Sequence, residues 1–69
     1  MSTCSITVNG EAQTLPGSLS VTELLAHLQL DPRMVALEYN GEILHRQHWP
    51  TTTIQDGDRF EIVTMVGGG

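Results

Sequence analysis

Four groups of residues in this 69-residue chain have atoms suited to chemistry. They are the terminal Gly67-Gly68-Gly69, the single Cys4, the pair His45 and His48, and the pair Asp56 and Asp58. A glycine triplet has no side chain to pack or to react, so any role it has lies in its backbone and in the carboxylate of Gly69. Without Cβ atoms such a tail is narrow and permissive, and it enters slots that exclude other residues. At about 3.3 to 3.6 Å per residue, three glycines carry the terminus roughly 10 Å from the folded part, far enough to reach a partner's active site. The triplet precedes no helix, so it is not a phosphate cradle. The alternative reading is a frayed end or a cloning remnant.

The side-chain groups are weaker candidates. Cys4 falls on the apolar face of an alternating run, where a thiol away from positive charge is unactivated and serves as a small core residue rather than a sulfur-accepting nucleophile. His45 and His48 are spaced to share a helical face, but two imidazoles without a third ligand make a poor metal site. His27 is isolated and reads as exposed. Asp56 and Asp58 flank Gly57 in the pattern of a tight turn rather than that of a metal or acid-base pair.

Composition narrows the function classes further. A single small domain of this length buries only about 60% of its unfolded surface, which leaves no room for a deep, enclosed active site. The formal charge of -5, from three arginines against eight acids, argues against nucleic acid as a partner class and favours a basic protein surface. The chain has no lysine, which removes Schiff-base chemistry, a phosphate-loop lysine and any internal acceptor for isopeptide chains. One cysteine permits no internal disulfide and suits a reducing compartment. No apolar run reaches the roughly 18 to 20 residues of a membrane span, and the polar start is not a signal peptide, so the expected location is cytoplasmic.

The elements that must position the tail follow from local patterns. Residues 4–9 alternate, with Cys4, Ile6 and Val8 on one face; Asn9-Gly10 is a hairpin turn, and residues 11–15 return antiparallel until Pro16-Gly17. Ser20-Val21-Thr22-Glu23 has capping-box spacing, and Val21, Leu24, Leu25 and Leu28 form one helical apolar stripe that Asp31-Pro32 closes. Residues 35–40 alternate as a third strand, and Gly41 turns the chain into the short apolar pair Ile43-Leu44. Residues 45–53 lose periodicity around Trp49-Pro50, an irregular or single-turn helical connection with Trp49 partly buried as a plug. After the turn at 56–58, residues 59–66 form the last strand, with Phe60 and Ile62 inward and Glu61, Val63 and Met65 on the other face. The crossover from Leu15 to Met34 is long enough to join parallel strands. The expected architecture is α+β, a β-grasp with a mixed sheet of four to five strands wrapped over one helix. Residues 1–66 form the domain and residues 67–69 the tail.

The run Val35-Ala36-Leu37-Glu38-Tyr39-Asn40-Gly41-Glu42-Ile43-Leu44, then Arg46 and Trp49, Gln55-Asp56-Gly57-Asp58 and the terminal Gly68-Gly69 resemble the ThiS family. These are ubiquitin-like sulfur carrier proteins of thiamin biosynthesis, and the resemblance spans essentially the whole chain. It implies a protein cosubstrate rather than an enzyme, with no bound cofactor. It further implies an ATP-dependent, magnesium-using adenylating enzyme that activates the Gly69 carboxylate. A sulfur donor such as a cysteine desulfurase then supplies the sulfur of a thiocarboxylate, which thiazole synthase consumes. The family pattern needs two terminal glycines and this chain has three, so Gly67 lengthens the flexible part by one residue. Other readings of the same residues are a carrier for molybdopterin or another pathway, a ubiquitin-like binding module, and a modifier conjugated to target lysines. Ala36, Val63 and Met65, with Val66, Gly67 and Gly68 beyond them, are expected to meet the partner enzymes. Glu38, Glu42 and Glu61 would form an acidic rim; the alternative is scattered surface apolar residues.

Overall fold

Two Asn-Gly dipeptides shape the sheet. In the computed structural model, which describes residues 3–65, Asn9 and Gly10 have φ of 52° and 83°, and Asn40 and Gly41 have 52° and 90°. Both central residues of a type I′ hairpin need positive φ, which asparagine tolerates and glycine adopts freely. The first turn joins β1 (Cys4–Val8) to β2 (Glu11–Leu15), and the second joins β3 (Val35–Tyr39) to β4 (Glu42–Ile43). The expected third strand therefore stops at Tyr39, because Asn40 already belongs to the turn.

The helix α1 (Val21–His27) starts as its sequence predicts. The Ser20 hydroxyl accepts from the Glu23 amide at 3.1 Å, and the Glu23 carboxylate accepts from the Ser20 amide at 2.8 Å. Its end differs from expectation, since it stops at Leu28 before Asp31-Pro32 is reached. Gln29 takes a positive φ of 61°, its amide donates to the Ala26 carbonyl, and the Leu30 amide donates to the Leu25 carbonyl. This double bond pattern closes a helix within its own last turn. Asp31 instead caps a 3-10 turn at Pro32–Met34, accepting from the Arg33 amide at 2.9 Å, with proline where its missing N–H is harmless.

The last strand, β5 (Arg59–Thr64), is central in the sheet order β2-β1-β5-β3-β4. It runs parallel to β1 and antiparallel to β3. This is the expected β-grasp, with all five strands present and α1 packed on one face. The parallel pairing covers only Thr7 with Arg59 and Val8 with Phe60 before the chain turns away. The Asn9 side chain then continues the ladder as a peptide group would, accepting from the Ile62 amide at 2.7 Å and donating to the Ile62 carbonyl at 3.1 Å. Asn9→Ala removes both bonds and the residue suited to positive φ. It should lower stability by about 1 to 3 kcal/mol in urea denaturation, with the slope unchanged. A loss no larger than that of an exposed strand substitution would contradict this role.

Leu15, Val21, Leu24, Leu25, Ile54 and Phe60 form the centre of the core, each at 0 to 1% exposure. Burying such side chains contributes about 1.5 to 3 kcal/mol each, and this is what holds α1 to the sheet. Residues 45–53 contain a regular segment despite their lack of periodicity. A 3-10 helix at Arg46–Thr51 buries Trp49 to 3% exposure, more fully than a partial plug, and its indole N–H donates to the Leu44 carbonyl at 3.0 Å. Ile54 follows it into the core, its amide donating to the Leu19 carbonyl and its carbonyl accepting from the Ser18 hydroxyl. Among the described residues no helix is long and apolar enough to cross a membrane.

Candidate functional site

The site begins where β5 ends. Val35 pairs with Thr64 and Ala36 with Val63, and the Met65 amide donates to the Met34 carbonyl. The backbone is thus tied to the start of β3 up to the last described residue. The expected strand to residue 66 is seen to Thr64. Val66, Gly67, Gly68 and Gly69, four of the predicted site residues, lie outside the described residues.

The other three sit on the sheet face opposite α1. Val63 is 63% and Met65 46% exposed, and Ala36 lies across from Val63. The register adds a fourth apolar residue that sequence reasoning did not place there. Glu38 stands opposite Ile43, which is 70% exposed and completes a shallow groove with Ala36 and Val63. The signal was present in the sequence: a two-residue Asn-Gly hairpin sets Tyr39 against Glu42 and hence Glu38 against Ile43. The same register corrects the expected acidic rim. Glu38 and Glu61 border the groove, whereas Glu42, opposite the half-buried Tyr39, belongs to the other face. A second depression runs from Ala36 and Ile43 toward Met65, Arg46 and Trp49, with the Arg46 guanidinium 5.5 Å from the Trp49 ring centre.

The remaining candidates resolve into structural roles. Cys4 is buried, and burial first, then the charges of Asp56 and Asp58, push its thiol above the usual range. A thiol held protonated in this way is inert. His45 precedes the 3-10 helix and accepts from the His48 amide through its backbone, both side chains being exposed. Among the described residues no three His, Cys, Asp or Glu side chains gather as a metal site. The acids of the 56–58 turn act as staples. Asp56 accepts from the Ser5 amide at 2.7 Å, fixing the start of β1. Asp58 accepts from the Gln55 amide at 2.8 Å, the Tyr39 hydroxyl at 2.7 Å and the Asn40 amide group at 3.2 Å, fixing the second hairpin.

The Tyr39 bond has a measurable consequence. The hydrogen bond to Asp58, with burial and the carboxylate charge behind it, pushes the phenol up to about 12 from 10.0. Folding therefore favours the protonated phenol. The stability this contributes is complete below pH 10 and is lost as pH rises through about 12. The chain has one tyrosine and no lysine, so tyrosinate absorbance reads the group directly. Its midpoint should lie near 12 in the folded chain. A midpoint at the ordinary value of about 10 would show that the bond does not form in solution.

Comparison with known proteins agrees with this geometry. The ThiS family model matches residues 6–69. The chain is 39% identical over 64 residues to a thiazole synthase of Paramagnetospirillum magneticum, covering 93% of this chain but only 20% of that protein. It is 31% identical to the sulfur carrier protein ThiS of Escherichia coli, over 93% of this chain and 97% of that one. The crystal structure of a thiamine biosynthesis protein (ThiS) from Geobacter metallireducens superposes with a TM-score of 0.81 at 44% identity, covering 94% of this chain and 99% of that one. With the family match running over nearly the whole chain and the fold agreeing strand for strand with the expected β-grasp, this chain belongs to the ThiS family.

Proposed function

We propose that this chain carries sulfur for thiazole formation in thiamin biosynthesis, on the C-terminal carboxyl of Gly69. The observation that carries the reading is a family match that extends through Gly69 and so includes the tail together with the domain. The described residues offer no competing chemistry, since the thiol is buried and the paired acids are committed to backbone and side-chain bonds.

A terminal carboxylate, with a pKa of about 3.3 to 3.7, is ionised at neutral pH and is a poor electrophile. Activation makes it reactive. An oxygen of the Gly69 carboxylate attacks the α-phosphorus of ATP on a magnesium-using adenylating enzyme, and pyrophosphate leaves. A persulfide charged by a donor such as a cysteine desulfurase then adds through its outer sulfur to the acyl carbon; the bond to the phosphate oxygen breaks and AMP departs, leaving an acyl disulfide. A thiol, acting as the reductant, attacks the cysteine sulfur of that disulfide, forms a new disulfide with it and expels the thiocarboxylate, so one oxygen of the carboxyl has been exchanged for sulfur. The thiocarboxylate is a soft anionic nucleophile held covalently, and free sulfide is never released. Similarity to a protein named thiazole synthase supports an enzyme of that kind as the acceptor.

The domain's contribution is to present the tail. The pairing of Val35 with Thr64 and the Met65 amide bond fix the point from which it leaves, and Gly67 and Gly68 let the carboxyl reach. Intact mass spectrometry tests the reading after incubation with ATP, magnesium, the cognate adenylating enzyme and a sulfur donor. The expected result is replacement of one oxygen by one sulfur. No change, with the enzyme shown active on another carrier, would overturn it; a plain binding module would give that outcome.

A further inference from the structure

The outer sheet face contains an arrangement that works against the free domain. The register sets Glu38 directly opposite Glu61 on neighbouring antiparallel strands, and both are exposed. Like charges in directly opposed positions destabilise a sheet. The one ion pair among the described residues joins Arg33 to Asp31, so neither glutamate is neutralised by one. Arg59, two residues along β5, lines the neighbouring depression with both glutamates but forms an ion pair with neither.

The next outward positions on the same strands are Ala36 and Val63, with Ile43 across from Glu38 on β4. Two facing carboxylates therefore stand at the edge of an apolar groove. Such a groove suits a side chain with an apolar stem and a cationic end. We propose that Glu38 and Glu61 form a two-carboxylate socket for one arginine of the adenylating enzyme, docked on the Ala36, Ile43 and Val63 groove, and that this contact helps that enzyme select its carrier. The proposal rests on the carrier function argued above and adds the chemistry of the surface that recognises it.

Arginine fits better than lysine. Its planar fork of donors reaches two acceptors at once, and its methylene stem covers apolar surface beside them. In water such a contact is worth little, but beneath a docked apolar surface the screening falls and the attraction grows. The same carboxylates are thus unfavourable in the free carrier and favourable in the complex. The chain's formal charge of -5 assists the approach of a cationic surface.

Opposite effects on stability and binding are the signature to measure. Glu38→Gln and Glu61→Gln are each compared with wild type, and Glu11→Gln, an exposed acid on β2, controls for net charge. Melting temperature of the free chain is read beside the KM for adenylation by the cognate enzyme, at low and high salt. Each socket variant should melt about 1 to 4 °C higher through relief of repulsion. Each should also raise KM by about 3- to 10-fold with kcat unchanged, an effect that shrinks in high salt. Glu11→Gln should leave KM as it is. Wild-type KM in both socket variants, an equal rise with Glu11→Gln, or a melting temperature that does not increase would overturn the socket. If wild type is loaded and only the variants fail to differ, the socket falls and the carrier function stands. If wild type accepts no sulfur at all, both fall.

Discussion

A chain lacking both Gly68 and Gly69 is expected to accept no sulfur, and a chain with one residue added after Gly69 is expected to accept none either. The effect on loading is essentially complete, because the reacting group itself is removed or displaced. Each glycine spans about 3.3 to 3.6 Å, so losing two leaves the carboxyl well short of its place in the adenylating site, and a placement error of 1 Å can already cost about 100-fold. An added residue displaces the carboxyl by one such length and places a Cβ, if it is not glycine, where a slot admits none. Neither change touches the described fold, so melting temperature should match wild type. Deleting a single glycine gives the same chain whichever of the three is removed; it keeps a diglycine end on a shorter tail, and its expected effect is a slower rate with the same thiocarboxylate product. Mass spectrometry reads all three variants. Sulfur transfer at the wild-type rate in the double deletion would rule out a carrier carboxyl placed by the glycine tail.

The largest expected effect on stability comes from Trp49→Ala. The indole is 3% exposed, and its N–H satisfies the Leu44 carbonyl as the chain leaves β4. Truncating a buried aromatic costs about 3 to 5 kcal/mol, and domains of this size have little more than that in total. Melting should fall by roughly 15 to 30 °C, or cooperative unfolding should vanish. Because the variant has no tryptophan, circular dichroism is the appropriate probe. Trp49→Phe keeps most of the packing and loses the hydrogen bond, so it should cost about 1 to 2 kcal/mol. If the alanine variant melted within a few degrees of wild type, the 3-10 segment would not be the closure of the core that its burial indicates.

Much of this protein was legible because its local signals agree with one another. Asn9-Gly10, the Ser20 to Glu23 box, the alternation from Val35 to Tyr39 and the Asp56-Gly57-Asp58 turn each depend on residues within about four positions, and each occurs where its pattern predicts. The helix end departs from its local signal for a related reason. Asp31-Pro32 is a strong stop signal, but Gln29 ended the helix first by adopting a conformation with no marking residue such as glycine. A 3-10 segment has no long hydrophobic period, so the local pattern signals only a partly buried Trp49 and gives no sign of the burial of Ile54 beyond it. Their burial follows from the space left between α1 and the sheet, which no short window contains.

The candidate site divides along the same line. By itself, the sequence determined the strand faces, the hairpin pairings and the tail of three glycines, since side-chain alternation and turn chemistry are properties of neighbouring residues. Only the tertiary structure decided which strands lie side by side. That choice made β5 central, brought the Asn9 amide to Ile62, set Val63 beside Ala36 and Ile43, and opposed Glu38 to Glu61. Contacts between residues as many as 53 positions apart are selected by the burial of the whole core, with loop closure opposing them only weakly as length grows.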